Sequence, residues 1–174
     1  MDRLRRDFFI RDGLEVAPEL IGCHLYRKYP DGRLEQYVLT ELEVYRGIDD
    51  KACHASHGLT SRTEVMYREG GLIYMYLIYG MYWMLNFVTS VEGDPHAILI
   101  RGLREVIGPG RLTRRLELDG SFYGEDLEQS ERIWIVKSNT PPRFYTTTRI
   151  NIDSVSEPWL SMPWRFVSDE SPGT

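Results

Sequence analysis

The chain is short of cysteine, of long apolar runs and of positive charge. Cys23 and Cys53 are its only cysteines, too few for a disulfide framework, so a reducing cytoplasm is the expected setting. No apolar run approaches the ~18 residues that a membrane span requires, and the opening stretch MDRLRRDFF lacks the apolar segment of a signal peptide. A formal net charge of −5 excludes a basic coat over the whole surface. A local basic face is still allowed, because surface potential depends on where charges sit. Internal repeats are missing too, and no glycine-rich phosphate loop follows a strand, which disfavours a nucleotide-cofactor module.

What is present fits one domain. A length of 174 residues buries roughly two-thirds of the surface of an unfolded chain in a single core. Residues 1–167 form the expected domain, and the polar stretch 168–174 is expected to be a flexible tail. A short helix is predicted at 16–22, followed by strands at 23–29 and 34–46 around the turn Pro30-Asp31-Gly32. The segment 47–71 reads as a loop with one short helix. Two strands between 72 and 91 meet near Gly80, and a further strand covers 97–104. Pro109 suits the start of a basic amphipathic helix over 111–118. Extended segments follow at 133–136, 146–152 and 165–167. Strands adjoin as hairpins rather than alternating with helices, which predicts α+β: a curved, largely antiparallel sheet flanked by short helices.

Four groups of residues could carry chemistry. In Glu41-Leu42-Glu43-Val44-Tyr45, strand alternation puts Glu41, Glu43 and Tyr45 on one face. Either carboxylate could activate a water, and spacing alone does not choose between them. Cys23-His24 and Cys53-His54-Ala55-Ser56-His57 contain zinc-type ligands without zinc-type spacing, so no metal is expected. The ribbon YMYLIYGMYWMLN, residues 74–86, carries four tyrosines and a tryptophan around Gly80. Most of these rings should be core, yet Tyr79, Met81 and Tyr82 flank a turn, where exposed apolar surface calls for a receiver. Arg101 ends an apolar strand and could project into a site. Arg111, Arg114 and Arg115 are candidate phosphate contacts, as are the clusters at 3–6 and 62–68.

In this order and spacing the residues resemble the alkyladenine (3-methyladenine) DNA glycosylase family. The resemblance rests on Glu41-x-Glu43-x-Tyr45, Ala52-Cys53-His54-Ala55-Ser56, Tyr74-x-Tyr76-x-Ile78-Tyr79-Gly80-Met81-Tyr82 with Asn86, and Leu99-Ile100-Arg101. It continues through Gly108-Pro109-Gly110-Arg111-Leu112, Arg149-Ile150 and Pro163-Trp164-Arg165-Phe166, covering about 14–167. It implies a cofactor-free, monofunctional enzyme that flips an alkylated or deaminated purine out of duplex DNA and hydrolyses its N-glycosidic bond. Glu43 would be the general base, and Arg101 would hold the water and the carboxylate. The Ile150 carbonyl would add a contact to that water. Tyr45, His54, Tyr76 and Asn86 would form the base pocket, with Asn86 crowding the amino group of guanine-type bases. Tyr79 would enter the duplex, with Met81 and Tyr82 in the minor groove. The implied state is a monomer in the cytoplasm, nucleoid-associated in a bacterium. Asn151 departs from the family, which commonly has a glycine there. A damaged-base-binding module without catalysis and a nucleoside N-glycosidase are the alternatives.

Overall fold

Turn residues and side-chain alternation shape the chain segment by segment. The computed structural model describes residues 2–172. A short helix α1 (Arg6–Phe9) leads into α2 (Gly13–Leu20). The Asp12 carboxylate accepts from the Leu14 N–H at 2.9 Å and caps α2. That cap starts the helix earlier than the apolar pattern alone predicted. Strands β1 (His24–Lys28) and β2 (Leu34–Arg46) follow the expected hairpin, with Gly32 at φ +88 closing the turn. The irregular stretch holds two 3-10 turns, His54–His57 and Glu64–Tyr67, rather than one short helix.

The tyrosine ribbon forms the hairpin β3 (Ile73–Ile78) and β4 (Tyr82–Thr89). Next come β5 (His96–Leu103), the two-residue β6 (Val106–Ile107) and α3 (Pro109–Arg115). The chain finishes with β7 (Ile133–Val136), β8 (Phe144–Thr147) and β9 (Arg165–Ser168). The extended segment expected at 146–152 therefore stops at Thr147. Arg149 turns inward to a buried carboxylate and takes the chain out of the sheet. Ser168 is the last residue of β9 and Ser171 is buried. Of the expected tail, residues 173 and 174 lie outside the described residues.

All strand pairs are antiparallel and build one curled sheet in the order β3-β4-β5-β2-β1-β7. β6 pairs with β5, while β9 pairs with both β2 and β8. This is the α+β, largely antiparallel architecture that hairpin adjacency predicted. β2 is the hub, bonded to β1, β5 and β9. Its Leu42 and Val44, with Leu85, Phe87, Ile98 and Ile100, fill the main core. Truncating such a fully buried side chain to alanine costs ~2–5 kcal/mol, so these residues fix the sheet from one face. A smaller cluster of Cys53, Val65, Met66, Tyr74, Val88 and Ala97 lies on the other face, under the loop at 52–67. The polar residues of β2 face that second side.

Candidate active site

Alternation along β2 places Glu41, Glu43 and Tyr45 together, opposite Leu42 and Val44, as the sequence indicated. Both carboxylates are buried, and Glu43 is wholly screened from solvent. The Tyr45 hydroxyl donates to Glu43 Oε2 at 2.8 Å, and the Ile150 N–H donates to Oε1 at 2.6 Å. Glu41 Oε1 instead accepts from Arg165 Nη1 at 2.9 Å. Burial pushes the Glu43 pKa above its ordinary value, against the pull of Arg101 and the two hydrogen bonds. Glu43 is thus a buried carboxylate held by two hydrogen bonds, and Glu41 is one half of an ion pair.

Arg101 reaches both carboxylates because of an irregularity in the strand. Leu42 pairs with Ile100 and Glu41 with Gly102, so Arg101 is an extra residue in β5. A bulge of this kind re-aims a side chain. Here it brings Arg101 Nε to 3.4 Å from Glu41 Oε1 and 3.6 Å from Glu43 Oε1. Gly102 makes the approach possible, since a Cβ there would meet the Glu41 Cβ at 3.0 Å. Arg101 Nε is a buried donor with no hydrogen-bond acceptor among the described residues.

The Ile150 N–H is held in place from behind. Arg149 and Asp50 form an ion pair at 2.6 Å with both side chains fully buried. Arg149 also donates to Val44 O at 3.0 Å and Trp159 O at 3.2 Å, and lies over the rings of Tyr45 and Trp164. Asn151 has φ +59, in the left-handed region where glycine is usual and asparagine is the best tolerated substitute. The asparagine therefore keeps the backbone geometry that the family's glycine would supply. The resemblance implies a contact from the Ile150 carbonyl to the water; the Ile150 N–H makes a separate contact, to Glu43 itself.

In front of this group lies a cavity of about 430 Å³. Tyr45, His54, Tyr76, Asn86, Arg101 and Ile150 all line it. His54 meets Tyr76 edge-on, with centroids 4.6 Å apart, and its Nδ1 lies 3.0 Å from the Tyr74 hydroxyl. Burial, with the charges of Arg62 and His57, lowers the His54 pKa to about 4, so the imidazole is neutral at pH 7. The Tyr76 phenol is pushed up to about 12, chiefly by burial, and stays protonated. Asn86 donates to Tyr74 O at 3.1 Å and Met84 O at 3.3 Å, which fixes its amide plane. Among the described residues no three of His, Cys, Asp and Glu gather as metal ligands.

The hairpin tip stands at the cavity mouth. Tyr79 is 89% exposed and Met81 63% exposed, while Tyr79 and Tyr82 both line the opening. Tyr79 and Gly80 have φ +53 and +64, and the Met81 N–H donates to Ile78 O at 3.1 Å. Two successive positive φ values define a tight hairpin turn, and for a residue as bulky as tyrosine the conformation is strained. Beside the tip, α3 packs on β4, with the Thr113 hydroxyl donating to Trp83 O at 2.8 Å. Arg111 and Arg114 are exposed there, and Arg114 lies 5.7 Å from the Tyr82 ring. Arg115 turns the other way, 3.9 Å from Glu35.

Sequence reasoning missed several contributors. Tyr74 braces His54, Arg165 neutralises Glu41, and the Arg149–Asp50 pair supports Ile150. Arg62, read only as part of a basic cluster, is a cavity-wall residue. These partners are distant in sequence, so no local pattern joins them.

The site thus combines an open-mouthed cavity with aromatic walls, a buried carboxylate behind it and a strained tyrosine at its mouth. Comparison with known proteins identifies the group. The family described as Methylpurine-DNA glycosylase (MPG) matches residues 7–107 and 104–172, and the chain belongs to that family. It is 40% identical over 172 residues to a protein of Wolbachia pipientis subsp. Culex pipiens (strain wPip), named "Putative 3-methyladenine DNA glycosylase", across 95% of this chain and 89% of that one. A protein of the same name from Methanocella arvoryzae is 36% identical over 192 residues, with 99% and 95% covered.

Proposed function

We propose that the protein excises damaged purines from duplex DNA, 3-methyladenine among them, by hydrolysing the N-glycosidic bond. The observation that carries this is that all three groups touching Glu43 (Tyr45, Arg101 and Ile150) are also walls of the aromatic cavity. A base seated there lies directly in front of a carboxylate whose basicity burial has raised. Glu43 takes a proton from water as that water attacks C1′. Arg101 Nε, a buried donor in want of an acceptor, supplies the water's second contact. The purine leaves as free base, with an abasic site behind it.

The reading includes base flipping, because a base stacked in a duplex does not reach a carboxylate as buried as Glu43. Unstacking costs a few kcal/mol. Tyr79 offsets part of it by filling the gap, since base–aromatic stacking contributes ~1–3 kcal/mol. Met81 and Tyr82 lie in the minor groove, and Arg111 and Arg114 meet phosphate. Arg115, drawn toward Glu35, is the weakest of the three phosphate candidates. Asn86, with its amide fixed on two carbonyls, crowds a 2-amino group. With no lysine nucleophile and no metal required, the protein acts as a monofunctional monomer without lyase activity.

The test uses a duplex carrying one damaged purine. Release of free base, with strand cleavage only after alkali, is the expected result. Tight binding without release means a damage-binding module, and cleavage of the free nucleoside at a comparable rate means a nucleosidase. Strand cleavage without alkali overturns the monofunctional assignment.

A further inference from the structure

Glycosidic hydrolysis accounts for the cavity's rings and carboxylates and leaves one cation unexplained. Arg62 lies between the two 3-10 turns of the 52–67 loop, lines the cavity, and has its guanidinium carbon 5.8 Å from the Tyr76 ring centroid. The loop is anchored there. The Tyr123 hydroxyl bonds to Ser61 O at 3.2 Å and Arg62 O at 3.1 Å, and accepts from the Val65 N–H at 3.2 Å.

The other charges around the cavity balance. Glu41 and Glu43 stand against Arg101 and Arg165, and burial keeps His54 neutral at pH 7. Arg62 has no carboxylate partner among the described residues, and the nearby Glu64 is paired with Arg68. The cavity therefore carries one uncompensated positive charge, placed against the ring on which a base would stack.

Resting on the glycosylase reading, we propose that Arg62 is a specificity-determining residue that disfavours cationic, ring-alkylated purines relative to neutral, deaminated ones. A cationic purine is repelled by the guanidinium and competes with it for the electron-rich Tyr76 face. A neutral purine feels no such repulsion, and its carbonyl can accept a hydrogen bond from the same guanidinium. Arg62 is exposed and its side chain hydrogen-bonds Tyr74, so solvent screening limits the change in the ratio of two such substrates to about fivefold.

The experiment compares single-turnover excision of 3-methyladenine, cationic in DNA, with that of hypoxanthine, which is neutral. Neither base has a 2-amino group, so Asn86 does not enter the ratio. Arg62→Gln is expected to raise the 3-methyladenine to hypoxanthine rate ratio by about fivefold. Arg62→Lys, which retains the charge, should leave the ratio near wild type. Tyr123→Phe, which frees the loop, should move the ratio in the same direction as Arg62→Gln by a smaller factor. Equal losses on both lesions make Arg62 a phosphate contact and overturn the inference, as does an unchanged ratio. Wild-type protein that excises neither lesion overturns the glycosylase reading instead. The Arg62 inference is then decided by the affinities of the same two duplexes, expected to shift in the same sense.

Discussion

The two ends of the proposed site are built on opposite terms. Around Glu43 the groups are buried or half-buried and all are held: Tyr45 and Ile150 bond the carboxylate, Arg149 and Asp50 brace Ile150, and Arg165 neutralises Glu41. At the Tyr79–Tyr82 tip the side chains are exposed, and a tyrosine sits in backbone space that tyrosine disfavours. Chemistry needs fixed geometry in a medium of low dielectric constant, where charge interactions are strong. Insertion into a duplex needs apolar surface offered to solvent, so that the partner completes it. The buried end is satisfied within the fold; in the proposed reading the exposed end is completed by DNA.

The sharpest way to break this contrast is at Glu43. Glu43→Gln preserves shape, so single-turnover excision should fall by ~10²-fold or more while lesion-duplex binding survives. Stability should behave differently. Burial raises the folded-state pKa of Glu43 above its ordinary value, so the folded chain holds this proton more tightly than the unfolded one. The associated stability is present below that value and lost as pH rises through the raised pKa. Glutamine removes the loss, and the melting temperature at pH 7 should stay level or rise. For the same reason the acid limb of wild-type excision should lie above the ordinary carboxylate range. A large loss confined to Glu41→Gln would transfer the base role to Glu41.

At the exposed end the same trade has a different cause, backbone strain rather than a buried charge. Tyr79→Asn keeps a residue suited to φ +53 and deletes the ring. Excision of a well-paired lesion should drop by an amount equivalent to ~1–3 kcal/mol, and excision from an unstacked mismatch should drop less. Relief of strain should raise folding stability by about 1 kcal/mol. A variant that melts earlier and loses activity on all substrates alike would show that Tyr79 is structural.

Between the two ends lies Asn86, buried yet facing the cavity. Asn86→Ser should raise excision of guanine-type relative to adenine-type lesions by about fivefold, the equivalent of ~1 kcal/mol, with some loss of stability from the two carbonyls left unpaired. An unchanged ratio would leave Asn86 only its structural bonds to Tyr74 and Met84. The smallest effect is expected at α3. Arg114→Ala should flatten the dependence of log affinity on log salt by ~0.9, and Arg115→Ala should change it less because Glu35 engages that side chain. The reverse order would relocate the phosphate face.

The sequence by itself determined the hairpins, the shared face of Glu41, Glu43 and Tyr45, the exposed tip at Gly80 and the start of α3 at Pro109. Each depends on turn residues or on a period of two, which are local properties of the chain. It also carried the family, through motifs spread over nearly its whole length. Which of two equivalent-looking glutamates is left unpaired by arginine hydrogen bonds and wholly buried was decided only in three dimensions. The choice depends on a bulge at Arg101, on the Ile150 N–H arriving from the far end of the chain, and on Arg165 claiming Glu41. The same is true of Asn151, whose left-handed φ is one that asparagine accepts. Arg62 and Tyr74 became parts of a cavity wall because β3 and the 52–67 loop meet across the second core. Burial and pairing between distant segments set these charges and pKa values, and the distances that set them exist only after the sheet has curled.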